Sequence, residues 1–337
     1  MTIHQILAIS LIKGVGPQTL RKYVKYIQEK SLNFDLHHST IEGYFIDLSK
    51  IETRIKVPTL ADIKNSIEES ENVYENSKNA GIKLISYLDE GFPPLLKLLD
   101  DYPVLLHYKG EINALNKQCV AVIGTREISE YATKAGEKLT KIMSEKYDYT
   151  IISGLALGSD TVAHNAAVDL NKPTAAFLAG GLDKIYPKEN NYLAGKILDT
   201  GGVLISEYEI GKESHKNLFI QRDRLQSGAS EGIIVLETRI KGGTRHTVSF
   251  AGKQNRIIGC LYSHLSVNLA DSEKFQGNRD IVENEGGLKI FDTESIEMFV
   301  KQLENKRKEL LNNSEKIKET LVSEKNISND SKQLKMF

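Results

Sequence analysis

Between Lys212 and Arg256 the sequence sets nine Lys/Arg against four Asp/Glu, in a 337-residue chain whose formal net charge is −1. A polyanion site on such a chain must be a local patch, and this stretch supplies one. Within it Lys216, Phe219 and Arg222 recur every third residue. On a helix or tight turn that spacing puts a cation, a ring and a guanidinium on one side. Neutralised phosphates beside a ring on which a base can stack are the usual means of holding a single strand of nucleic acid. The competing reading makes Phe219 a core residue and the cations solvated. Arg224 follows two positions on, with Asp223 between the two arginines. Further along, Lys241-Gly242-Gly243-Thr244-Arg245 pairs glycines with a threonine, a composition suited to an anion nest. Upstream, Gly124-Thr125-Arg126 combines a turn-permitting glycine, the free N–H groups of a following helix and a bidentate phosphate donor. A bound nucleotide would account for the same charge.

The elements that must position these residues are legible as β-branched runs separated by helical stretches. Strands are expected at Val120–Ile123, Thr150–Ile152, Ala175–Leu178, Val203–Ile205, Ile233–Leu236 and Ile257–Leu261. Such alternation implies crossover connections, hence an α/β, Rossmann-like, mostly parallel sheet with helices on both faces. Its ligands bind beyond the carboxyl ends of the strands. The segments at those ends are Gly124 to Arg126, Ser153-Gly154-Leu-Ala-Leu157-Gly158-Ser-Asp160-Thr-Val-Ala-His164, Gly180-Gly181 with Tyr186 and Asn190, and Ser206-Glu207-Tyr208. Asp160 and His164, four apart on one helix face, read as a polar patch at the helix start or, more in keeping with their spacing, as a cap and an internal pair that stiffens the loop. Gly180 and Gly181 let another segment or a ligand approach the backbone. Tyr186 before Pro187 sets an aromatic at the rim, and Glu207 and Glu237 are expected to accept hydrogen bonds from loop amides.

Four regions follow. Residues 1–80 read as a small helical domain, with helices at Ile3 to Leu11 and Thr19 to Gln28 and weaker helical patterning from Leu60 to Asn79. Its Lys13-Gly-Val-Gly-Pro17 turn reads either as an ordinary helix–helix connection or as one resembling a helix-hairpin-helix turn, in which helix-start N–H groups can hold a phosphate. Residues 81–114 form a connecting segment packed on the core, and 115–300 the Rossmann-like domain. Residues 301–337 are a charged helical or disordered tail, too short and polar for a winged helix. The two cysteines, Cys119 and Cys260, sit in apolar runs and read as packing residues. No membrane-length apolar stretch or signal peptide is seen, so a cytoplasmic protein is expected. Neither a Walker A loop, a zinc-protease helix nor a Cys pair occurs, so no cofactor or metal is expected.

The Ser153–His164 run, Gly180-Gly-Leu-Asp-Lys-Ile-Tyr-Pro-Lys-Glu-Asn190, Gly124-Thr-Arg126, Ser206-Glu-Tyr208 and Lys216–Arg224 occur in an order that resembles the DprA/Smf family. The likeness extends over most of residues 1 to 265. It implies single-stranded DNA as ligand, a RecA-type recombinase as partner, a role in recombination or natural transformation, and a homodimer formed through the Rossmann-like domain. By motif position, DNA contact falls on Arg126, Lys216, Phe219, Arg222 and Arg224, with the Lys241–Thr244 loop beside them. Two departures stand out: Leu157 where the family often has Arg, and Asp223 where it often has Asn. The rival reading is a nucleotide enzyme like the cytokinin-activating phosphoribohydrolases, or a nucleotide or DNA sensor in phage defence. Those hydrolases carry Pro-Gly-Gly-x-Gly-Thr-x-x-Glu, whereas Gly242-Gly-Thr-Arg-His-Thr247 lacks the second Gly-Thr step and the catalytic Glu. Finally, Gln333-Leu334-Lys335-Met336-Phe337 resembles the short peptide with which bacterial proteins engage the replication sliding clamp.

Overall fold

A computed structural model describes residues 1–263 and 273–312. The chain begins with four helices, α1 Ile3–Ser10, α2 Pro17–Glu29, α3 His38–Ile51 and α4 Leu60–Asn79. A capping box formed by Thr2 and Gln5 opens α1. Gly14 at φ +87° turns the chain into α2, and Pro17 takes its first helical position. The third helix was not expected in the polar stretch 31–80. Ile41, Phe45 and Leu48 nonetheless put an apolar stripe on it and are buried against Tyr23 and Val24.

Nine strands then form one sheet in the order β1-β2-β6-β5-β4-β3-β7-β8-β9. They are β1 Lys83–Ser86, β2 Leu105–Gly110, β3 Cys119–Ile123, β4 Thr150–Ser153, β5 Thr174–Phe177, β6 Val203–Ser206, β7 Gly232–Val235, β8 Ile257–Leu261 and β9 Leu288–Ile290. The six expected strands match within one residue at each end. From β6 to β9 every pairing is parallel. Within the connecting segment, β1 and β2 add to the sheet, antiparallel, at its β6 edge.

Alternate residues of the central strands face opposite layers. Ala121, Ile123, Ile233 and Val235 pack with Leu225 of α8 (Lys216–Gly228) and with Val248 and Ala251 of α9 (Thr244–Lys253). Val120, Val122, Ile234 and Leu236 pack with Leu139 and Met143 of α5 (Glu130–Glu145) and Ala163 and Ala167 of α6 (Ser159–Asp169). Phe299, Val300 and Leu303, on a helix spanning 293–312, belong to this second layer. That helix crosses the expected boundary at residue 300. Its Arg307 reaches the fully buried Glu231, which also accepts from the Cys119 N–H at 2.7 Å. The run beyond residue 300 therefore packs on the core through Leu303 and Arg307. No helix among the described residues is long and apolar enough to cross a membrane.

The strand order reverses between β3 and β7. From β3 the chain moves through β4 and β5 to β6, then returns by α8 to pair β7 on the other side of β3. Such a reversal opens a crevice at the carboxyl ends of the two strands.

Candidate nucleic-acid interface

A cavity of about 600 Å³ occupies this crevice. Its lining comes from the ends of β3 and β7, the start of α6, one face of α8 and the loop into α9. After β3 the loop is pinned from both sides. The Thr125 N–H donates to the Glu237 carbonyl at 2.8 Å, and the Ser159 N–H to the Thr125 carbonyl at 3.1 Å. Glycine is required at Gly158, where φ is +77° and a Cβ would lie 2.5 Å from the Thr125 and Arg126 carbonyl oxygens. This close approach holds Arg126 at the cavity, exposed, with its guanidinium carbon 5.5 Å from the centre of the Phe219 ring. Tyr186, 54 % exposed, places its ring 5.6 Å from the same ring. Lys216 opens α8 at the exposed end. Lys216, Phe219 and Arg222 all line the cavity, as their spacing implied. Phe219 is half-buried at the wall and not enclosed in the core.

The two arginines that follow are placed differently from the expectation. Arg222 is buried and donates from Nη1 to the Gly154 and Phe177 carbonyls, both at 2.6 Å. A Cβ on Gly154 would sit 2.0 Å from that nitrogen, so the glycine makes room for the guanidinium. Arg222 thus ties α8 to β4 and β5, and reaches the cavity only with part of its surface. Arg224 points away from the cavity. It is 3 % exposed and pairs with Glu207 at 2.7 Å and Asp101 at 3.1 Å. The expected DNA contact of Arg224 is accordingly replaced by a buried structural pair, and Glu207 accepts from that side chain and not from a loop amide. Glu237 does accept a loop amide, the Ser129 N–H, at 2.7 Å.

Asp160 and His164 do not pair. Asp160 receives the Gly154 and Ala156 N–H groups at 3.1 and 3.2 Å, stiffening the β4–α6 loop. Burial raises its carboxyl pKa, with Arg222 and those amides pulling the other way. His164 turns to the Thr174 hydroxyl at 2.8 Å, and burial, with Arg222 adding to it, lowers its pKa to about 3. Ser153 donates to the Val122 carbonyl at 2.7 Å. Asn190 is buried and donates to the Leu155 carbonyl and the Thr161 hydroxyl at 2.8 and 2.9 Å. These residues build the scaffold behind the cavity. At Gly180 and Gly181 the approaching segment is the chain's own run into α8. The Gly181 N–H meets the Lys212 carbonyl at 2.9 Å, and a Cβ on Gly180 would lie 2.8 Å from it.

Lys241, Gly242, Gly243 and Thr244 line the opposite wall. Neither glycine has a positive φ, so they do not form the alternating-handed nest that their pairing suggested. They lead instead into the start of α9, which has no side-chain cap, as does the start of α8. Two helix N-termini therefore border one cavity and add partial positive charge to that of the side chains. Arg245 faces elsewhere, paired with Asp280 at 2.9 Å and with Glu285.

The lining residues that the sequence does not mark as a site include Arg239, His246 and Asp223. Asn278, behind the cavity, carries no such mark either. It accepts from the Thr238 N–H at 2.8 Å and donates to the Val235, Leu236 and Leu261 carbonyls, clamping the end of β7. Nothing in its local sequence announces this, because its partners lie some forty residues or fewer away in other elements. Asp223 was visible in the sequence, but only as a charge that disturbs two arginines. The cavity holds it on the same helix face as Lys216 and Phe219.

The doubly wound sheet, with a cationic, aromatic-walled crevice at its strand ends, defines a Rossmann-like α/β protein. The chain belongs to the family described as DNA recombination-mediator protein A, whose sequence model matches residues 83–302. It is 36 % identical to Protein Smf of Escherichia coli K12 over 178 residues, which is 53 % of this chain and 47 % of that one. To the DNA processing protein DprA of Streptococcus pneumoniae R6 it is 36 % identical over 186 residues, 55 % of this chain and 65 % of that one. The chain thus aligns with about half to two thirds of the length of these relatives. The X-ray structure of S. pneumoniae DprA superposes with a TM-score of 0.72 at 27 % identity, covering 88 % of this chain and 97 % of that one. DprA of Helicobacter pylori, described for its single-stranded DNA binding mode, superposes with a TM-score of 0.56 at 27 % identity, covering 66 % and 96 %.

Proposed function

We propose that this chain binds single-stranded DNA in the crevice over β3 and β7 and acts as a recombination mediator, passing the strand to a RecA-type recombinase in the cytoplasm as a homodimer. The observation that carries the reading is the Phe219 ring, half-exposed in the cavity wall with Arg126 5.5 Å away and Lys216 one turn earlier on the helix. A ring flanked by cations offers stacking to bases and positively charged partners to phosphates together. Lys241 and the α9 start supply the facing wall. The family and the binding mode described for the H. pylori relative support the same ligand.

The test is a salt titration of binding to single- and double-stranded oligonucleotides. Binding to the single strand is expected to be tighter and to weaken steeply with salt. Phe219→Ala should weaken it by about 1 to 3 kcal/mol. Arg126→Ala should weaken it and flatten the salt slope by about one unit. If neither substitution alters oligonucleotide affinity, the site is elsewhere. Turnover of nucleoside monophosphates would favour the enzyme reading instead.

A further inference from the structure

We infer that Asp223 makes this crevice select guanine among the bases of a single strand, an inference that rests on the DNA-binding reading above. Lys216, Phe219 and Asp223 lie three and then four residues apart on α8, so they follow one another along a single helix face into the cavity. A phosphate is met at the helix start and a base plane at Phe219. The edge of that base is then directed toward the residue one turn deeper. There the protein offers a carboxylate, which repels phosphate and serves only as an acceptor. Of the other two acids lining the cavity, Asp160 is taken by loop amides and Glu127 pairs with Arg239, so the free oxygen of Asp223 is the one accounted for by a donor-bearing base edge.

The carboxyl is held in place. Oδ1 accepts from Arg222 Nε at 3.1 Å, and Arg222 is itself fixed by two carbonyls. Among the described residues no donor reaches the second oxygen, and the side chain is 15 % exposed. Guanine presents two adjacent donors, N1–H and the 2-amino group, which match the two oxygens of a carboxylate. Cytosine and adenine pair one amino donor with a neighbouring ring-nitrogen acceptor, and thymine flanks its single N3–H with two carbonyls. Each of these sets a lone pair against the carboxylate. Burial, opposed by Arg222, pushes the Asp223 pKa up to about 6. The other groups facing it are Asp160 and His246. Below that pH the acid becomes a donor as well as an acceptor, and the distinction between bases fades.

The test compares oligothymidylate with the same oligomer carrying isolated guanines, adenines or cytosines, by fluorescence anisotropy at neutral pH and at about pH 5. At neutral pH the guanine-bearing oligomer should bind roughly tenfold tighter than oligothymidylate. Asp223→Asn should bring all four to within about twofold of one another. Phe219→Ala should weaken all four alike. The wild type alone supplies a second reading, since its preference should shrink at the lower pH. Equal affinity of the wild type for the four oligomers, or a preference that survives in Asp223→Asn, overturns the inference while leaving DNA binding intact. Failure to bind any oligomer overturns the DNA-binding reading itself.

Discussion

Burial disfavours the ionised form of Asp223, and the Arg222 guanidinium only partly offsets this, so the pKa rises from 3.8 to about 6. A carboxyl shifted upward in the folded state penalises folding above its folded pKa, and the penalty disappears below the unfolded value. Asp223→Asn should therefore raise Tm at pH 7, by on the order of 2 kcal/mol in stability, and the gain should fade between about pH 6 and pH 4. Thermal unfolding of both proteins across that range checks the sign; a pH-independent difference would contradict it. Phe219, Lys216 and Arg126 were legible as a site because their types and spacing are local properties. The directions of Arg222 and Arg224 were not. They are decided by carbonyls and carboxylates that the sheet brings from 45 to 68 residues away for Arg222 and by Asp101 and Glu207 for Arg224.

At the scale of elements, the loop from Thr238 to Thr244 is held by the helix Gln276–Asn284 as much as by its own strand. Gly277 lets that helix press close, donating its N–H to the Thr238 carbonyl at 2.9 Å, while Asn278 clamps the strand end. Asn278→Ala would leave the buried Thr238 N–H unpaired, costing about 1 to 3 kcal/mol. It should also weaken DNA binding through the loosened wall, although Asn278 does not line the cavity. Lower Tm with faster amide exchange at Thr238 is the expected outcome, and unchanged exchange would count against the clamp. The central strands were legible because each is a short, doubly buried run, rich in β-branched residues in all but the Ala-Ala-Phe of β5. β9, three residues long with a lysine at its centre, carries no such signal. In α3 the signal was present in Ile41, Phe45 and Leu48 but was masked by polar neighbours.

Across the whole molecule, the N-terminal helices are tied to the sheet at the segment around Asp101. Arg21 of α2 donates to the Asp101 and Tyr102 carbonyls at 3.3 Å, and the Asp101 carboxylate pairs with Arg224 on α8. The tail peptide Gln333, Leu334, Met336 and Phe337 lies outside the described residues. Its likeness to a clamp-binding peptide is tested by pull-down with the sliding clamp, comparing the full chain with a truncation after Lys332. The full chain should be retained and the truncation lost; equal retention would dismiss the peptide.

The seam between β3 and β7 joins residues far apart in the chain: Cys119 and the Glu231 carboxylate that receives its N–H are separated by 112 positions. During synthesis the first half of the sheet is therefore made long before its central partner. Until β7 leaves the ribosome, β3 presents an open, apolar edge, which invites pairing with other chains. The crevice cannot exist earlier than that moment, because its wall from Thr238 to Thr247 is translated only after β7. A nascent or truncated chain ending before Gly232 is thus expected to depend on chaperones and to have no affinity for DNA in this crevice.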